Sequence, residues 1–214
     1  VRMRKVKIAS ITIVLLTVLA SLCLWVYIPW NLTWGATEEE AIRSMVGDDI
    51  VKSPSFISTR AIEIYASPED IWPWIIQMGY GRAGFYSYDF LDNDGNPSAD
   101  RILPEYQDLT VGDLVPLDER GSVIVEKFEY AKHLLLVSKS DRFTWAWELS
   151  EVGQNQSRLV TRIRHDMDSA LMSFMWDTFE FVMMRKCLLG IKSRAESLKG
   201  ASASGFGLMM EVGK

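Results

Sequence analysis

The chain is predicted to fold as an α+β domain in which a curved antiparallel sheet grips one long carboxy-terminal helix. Three features of the sequence predict this. One alternating segment is followed at once by a short, well-capped helical segment. Five strand-like segments then succeed one another with turn-formers between them. From about Ser169 the apolar period changes from that of strands to that of a helix and holds to Leu198.

The amino terminus stands apart from this domain. Arg2, Arg4, Lys5 and Lys7 precede an uncharged apolar run from Ile8 to about Trp30, about as long as the roughly 20 residues that span a bilayer as a helix. Trp25, Tyr27, Trp30 and Trp34 gather at its far end, where amphipathic rings favour the membrane interface, and Glu38, Glu39 and Glu40 follow. With basic residues on one side only, a single-pass cell-membrane protein is expected, its amino terminus cytoplasmic and its body outside. The run exceeds a signal-peptide core, and Trp34-Gly35-Ala36 sets a bulky ring before the small residue, so an uncleaved anchor over 1–34 is expected. The domain itself is expected over 35–198 and a flexible Gly/Ser-rich tail over 199–214.

Within the domain, Arg60–Tyr65 alternates as a strand. Ser67-Pro68-Glu69-Asp70 starts a helix, with Ser67 as cap, Pro68 in the first turn and Asp70 completing a capping box. Ile71, Trp74, Ile75 and Met78 give that helix an apolar face, and Pro73 interrupts its hydrogen bonding. Strands are predicted at Val111–Pro116, Val123–Phe128, His133–Ser138, Phe143–Leu149 and Arg158–Arg164. In the final helix Phe174, Phe181, Leu188 and Ile191 mark the apolar face.

Charge and composition narrow the function. A net charge of −5 argues against a broad nucleic-acid surface. Of the two cysteines, Cys23 lies in the apolar run and Cys187 in the late helix, which leaves the domain without a disulfide framework or a cysteine metal site. His165-Asp166-Met167-Asp168 lacks a third protein ligand for a metal. Asp92-Asn93-Asp94-Gly95 resembles a calcium loop, but its final acid would fall on Arg101. Gly79, Gly81 and Gly84 follow a helix instead of opening one, unlike a nucleotide loop. No catalytic signature, cofactor or metal is expected.

The densest segment is Gln77–Asp89, with three glycines, three tyrosines, an arginine and an aspartate. It is expected to form the mouth of a ligand site, with Arg82 as a clamp and Tyr80, Tyr86, Tyr88 and Asp89 around it. The structural alternative pairs Arg82 with Asp89 or Asp100 to pin the loop. Phe143, Trp145, Trp147 and Leu149 share one strand face. Trp145 and Trp147 are expected as the wall of an apolar pocket, or else as ordinary core.

The order of elements resembles the SRPBCC or START-like superfamily. More specifically it is similar to a bacterial and archaeal subgroup with a Trp-Gly-Ala-Thr motif after a membrane segment. Here these are Trp34-Gly35-Ala36-Thr37, Gly47-Asp48-Asp49, Thr59-Arg60-Ala61-Ile62, Trp72-Pro73-Trp74, Gln77–Asp89 and Ser98–Glu105. The resemblance spans about Trp30 to Leu198 and implies a helix-grip fold around a deep cavity. It implies a binding protein for a lipid or other hydrophobic small molecule, with a polyketide-cyclase-like enzyme and a filled-core protein-interaction domain as alternatives.

Overall fold

The computed structural model describes residues 2–211. Helix α1 (Arg2–Leu22) runs through a π-helical turn, Cys23–Tyr27, into α2 (Ile28–Leu32), and the short α3 (Glu38–Ile42) follows. Then come β1 (Phe56–Ile64), α4 (Pro68–Ile76), the one-turn α5 (Asp89–Asp92), β2 (Leu114–Pro116), β3 (Ser122–Glu129), β4 (His133–Ser138), β5 (Phe143–Gly153), β6 (Gln156–His165) and α6 (Ala170–Glu211). The sheet is antiparallel throughout, in the order β1-β6-β5-β4-β3-β2. Register shifts between Val125 and Lys127 and between Glu151 and Gly153 break the ladder locally, and such bulges bend the strands that carry them.

Two residues that alternate along a strand face opposite sides, and here both sides are covered. On one, Trp145, Trp147 and Leu149 of β5 meet Leu134 and Leu136 of β4, Leu159 and Ile163 of β6, Trp72 and Trp74 of α4, and Leu188 and Ile191 of α6. On the other, Ala61, Leu135, Val137, Ala146 and Val160 pack against Met45, with Ala36, Val46 and Ile50 beside them. The second layer is a strap, the chain from 34 to 51, and it accounts for two of the sequence motifs. Gly35 has φ +74°, and a Cβ there would stand 2.1 Å from the Ala61 carbonyl oxygen. Gly47 has φ +82°, and its Cβ would meet the Leu135 side chain at 2.5 Å. The buried Arg162 holds the strap down by donating to the Glu40, Ala41 and Arg43 carbonyls and to Asp48 at 2.7 Å.

Arg60 lies on the opposite face of β1 from Thr59 and Ala61, and it is buried with its partners. It donates to the Asn31 carbonyl at 3.0 Å, to Asn31 Oδ1 at 3.1 Å, to Ser58 Oγ and to the Glu180 carboxylate. Side-chain exposure is 1% for Arg60 and 5% for Glu180. The end of α2, β1 and α6 therefore meet at one ion pair.

Several predicted boundaries move. β2 begins at Leu114 because Asp113 Oδ2 accepts from Thr110 N at 2.7 Å and Gly112 has φ +95°, so 110–113 is a turn. At α4 only half of the expected box forms. Ser67 caps Asp70 N, but the Asp70 carboxylate accepts from the Ser67 hydroxyl at 2.9 Å. The reciprocal box is at α3, between Thr37 and Glu40. α6 extends past the predicted end at Leu198, while the side chains of 170–175 and 198–211 lie outside the described set, and with them Phe174 and the expected flexible tail. Among the described residues no helix is long and apolar enough to cross a membrane. The basic residues occupy the first turns of α1, and the apolar run is divided among α1, the π-helical turn and α2. The described part of α1 nonetheless leaves Ile13, Leu15, Leu16 and Leu19 each 60–64% exposed.

Replacing Arg60 by Met takes the guanidinium away from the buried Glu180 carboxylate, and such losses cost about 3–5 kcal/mol. Urea unfolding is expected to show that drop in Arg60→Met and a clear recovery in the Arg60→Met, Glu180→Gln double variant. A single variant within about 0.5 kcal/mol of the parent, the range of a surface substitution, would show that the pair does not hold the fold.

Candidate functional site

Between the sheet and α6 lies a cavity of about 140 Å³. Phe143, Trp145 and Ile163 give its wall on the sheet side, Trp176, Met183 and Met184 on the α6 side, and Phe85 closes it from the 77–89 loop. Trp145 donates its indole N–H to Thr161 Oγ1 at 2.9 Å, which satisfies the polar edge of the ring and leaves its hydrocarbon to the cavity. Trp147 packs on Trp145 with ring centres 5.0 Å apart but does not line the space. It is fully buried core, one register step deeper along β5.

Four polar side chains reach the cavity. Ser87 donates to the Met183 carbonyl at 3.1 Å, and Glu180 is held by Arg60. Cys187 lies 3.8 Å from Met78 Sδ, and burial pushes its thiol up, so it is an unreactive packing residue. Asp92 differs from all three. Its Oδ1 is buried without a hydrogen-bond partner, and burial raises its pKa from 3.8 to about 6, with the Ser87 hydroxyl offsetting part of the rise.

The expected mouth residues are occupied elsewhere. Arg82 donates to the Ile76 carbonyl at 2.9 Å and to that of Gln77, and its guanidinium lies 4.7 Å from the Tyr106 ring centre. It caps the end of α4, and the predicted pairing with Asp89 or Asp100 does not form. Desolvation lowers its pKa. Tyr80 donates to Asp94, which pushes its pKa up to about 12. Tyr86 is buried with φ +58°, a conformation that costs a non-glycine residue about 1–3 kcal/mol. Its hydroxyl donates to the Trp74 carbonyl and accepts from Gln77 Nε2, and Arg194 lies over its ring at 4.4 Å. Tyr88 is exposed beside Phe90, and Asp89 accepts from Ser98. Of the segment 77–89, only Phe85 and Ser87 face the cavity.

Gln77 explains why the loop is rigid. Its amide donates to Tyr86 and to the Arg101 carbonyl, and its Oε1 accepts from Leu103 N and Gln107 Nε2. His165 does no work with its neighbouring acids. Arg142 takes both Asp166 and Asp168, while the imidazole stands between Phe143 and Trp176, its pKa lowered by burial and by Arg142. Asp92 is the functional candidate that the sequence raised only within a calcium-loop pattern, which failed at Arg101 and drew attention away from its single carboxyl.

No family model and no curated protein matches the chain. Among solved structures it is similar to XoxI from Bacillus cereus, at 12% identity and a TM-score of 0.43 over 67% of this chain and 97% of that one. A START superfamily protein from Mycobacterium smegmatis gives 12% and 0.42 over 66% and 98%. A polyketide-cyclase-like protein from Corynebacterium glutamicum gives 13% and 0.35 over 64% and 88%. The antiparallel sheet of order β1-β6-β5-β4-β3-β2 packed around α6 is a helix grip.

Asp92 gives this domain a pH dependence whose sign is fixed. The folded state holds the Asp92 proton more tightly than the unfolded state does. Its stabilising share is therefore complete below about pH 3.8 and lost as pH rises through about 6. Compared by melting temperature across that range, Asp92→Asn is expected to gain on the parent between those values and to keep a constant lead above them. A lead that is the same at every pH would refute the assigned shift.

Proposed function

We propose that this protein is a membrane-attached binding domain that holds the apolar part of a small molecule between its sheet and α6. The observation that carries this is the cavity, lined by Phe85, Phe143, Trp145, Ile163, Trp176 and Met184. A dry apolar cavity of about 150 Å³ accepts a benzene ring. A space of about 140 Å³ thus suits one ring or a short stretch of chain, and a whole lipid would exceed it. An open cavity counts against a filled-core interaction domain. The dispersal of Arg82, Asp89 and His165 into separate contacts counts against an enzyme built on those groups.

Attachment to a cell membrane is supported by the basic start of the chain and by the exposed apolar side chains of α1. The helical stretch up to α2 would enter the bilayer with the amino terminus cytoplasmic and the domain outside. Trp25 and Trp30 remain exposed at its end. Trp30 meets Phe181 at 5.3 Å and Arg185 lies over Trp34 at 5.2 Å, so the attachment point adjoins the same stretch of α6 that lines the cavity.

Native mass spectrometry of the full chain released from detergent is expected to show an apolar adduct that unfolding releases. Met184→Phe, which fills the cavity, should lose that adduct and keep its melting temperature. A clean mass together with no rise in melting temperature on adding toluene would overturn the binding proposal. Separately, alkaline carbonate is expected to leave the full chain in the membrane pellet, and its release into the supernatant would remove the integral anchor.

A further inference from the structure

The two carboxylates of the cavity are in opposite circumstances. Glu180 has the Arg60 guanidinium. Asp92 faces the Ser87 hydroxyl from the loop, Asp89 from its own short helix and the Cys187 thiol from α6, where Arg194 and Glu180 act in turn on Cys187. No cation is among the groups that face Asp92 itself, and Asp92 Oδ1 is buried without a hydrogen-bond partner. A desolvated carboxylate without a counter-charge is unfavourable. A purely hydrocarbon ligand would make it worse by displacing whatever water reaches the carboxyl. Phe85, Phe143, Trp145 and Trp176 line the same cavity as Asp92, and ring faces attract a cation where water is excluded.

The geometry points to a small organic ammonium as the ligand, its charge against Asp92 and its hydrocarbon body against the four aromatic rings. This rests on the cavity being the ligand site and names the chemistry that the site selects. The positive charge supplies the partner that Asp92 lacks. The ring or short chain behind it fills a space too small for a whole lipid. Only the ionised carboxyl can pair with the ammonium, so binding is at full strength above about pH 6 and weakens as Asp92 takes up its proton. A free amine and the amino headgroup of a phospholipid both carry this chemistry.

The test is a tryptophan-fluorescence titration of the full chain in detergent, from about pH 8 to about pH 5, with cyclohexylamine and with cyclohexanol as its neutral match. The amine stays protonated over this whole range. At the upper end it should bind on the order of tenfold more tightly than the alcohol, the scale of a desolvated cation–aromatic contact. That advantage should shrink toward the lower end, and Asp92→Asn should remove it while leaving alcohol binding in place. Alcohol binding with no preference for the amine at any pH overturns the ammonium assignment and leaves the cavity reading standing. A preference that survives in Asp92→Asn overturns it as well. Binding of neither probe overturns both. The pH series on the unaltered chain decides the matter even if Asp92→Asn folds poorly. In support, displacement of the amine by phosphatidylethanolamine vesicles and not by phosphatidylglycerol vesicles would identify a headgroup as the source, and displacement by neither a free amine.

Discussion

The buried pair between Arg60 and Glu180 is the contact on which the rest of the structure depends. Arg60 projects from β1 into the face that α6 covers, and it binds Asn31 at the end of α2 with both Nε and Nη2. Sliding α6 by one turn, about 5.4 Å, would take Glu180 away from the Arg60 guanidinium. Hydrophobic packing alone tolerates such slips better, because one apolar residue replaces another at modest cost. The pair therefore fixes the register of α6. By fixing it, the pair decides that Trp176, Met183 and Met184 face the sheet across a gap.

The same contact ties the cavity to the amino-terminal helix. Phe181 follows Glu180 directly, lies under the Arg60 guanidinium at 5.4 Å and meets Trp30. On the far side of the cavity, the 77–89 loop is a rigid plug. Its carbonyls at the end of α4 are taken by Arg82, its centre by Gln77 and its buried tyrosine by Trp74 and Arg194. Only a loop that firmly held can keep Phe85 against Trp145, at 6.3 Å, without collapsing into the space.

Much of this was legible beforehand, and the part that was not has a physical cause. Period-two segments gave β3 to β6, and the Ser67-Pro68 start gave α4, because those signals are local. The glycine motifs were visible at Gly35 and Gly47, but their purpose was not. Close approach to Ala61 and Leu135 is a long-range fact. Arg82 and Tyr86 drew attention by residue type in a dense loop, yet residue type cannot say whether a guanidinium faces a cavity or a helix end. Trp145 and Trp147 share one strand face, and alternation alone cannot separate the lining residue from the core residue beneath it.

By itself the sequence determined the α+β class, the strand succession, the apolar amino terminus and the aromatic face of β5. Each follows from side-chain period, turn chemistry or composition within a window of a few residues. Only the tertiary structure decided which side chains meet across the sheet. It placed the 34–51 strap, the Arg60–Glu180 pair and, in a cavity that four aromatic rings also line, the Asp92 carboxyl with one oxygen left without a hydrogen bond. These depend on the register of elements more than a hundred residues apart in some cases, Arg60 and Glu180 among them. Such register is set by packing and buried charge, which no local pattern records.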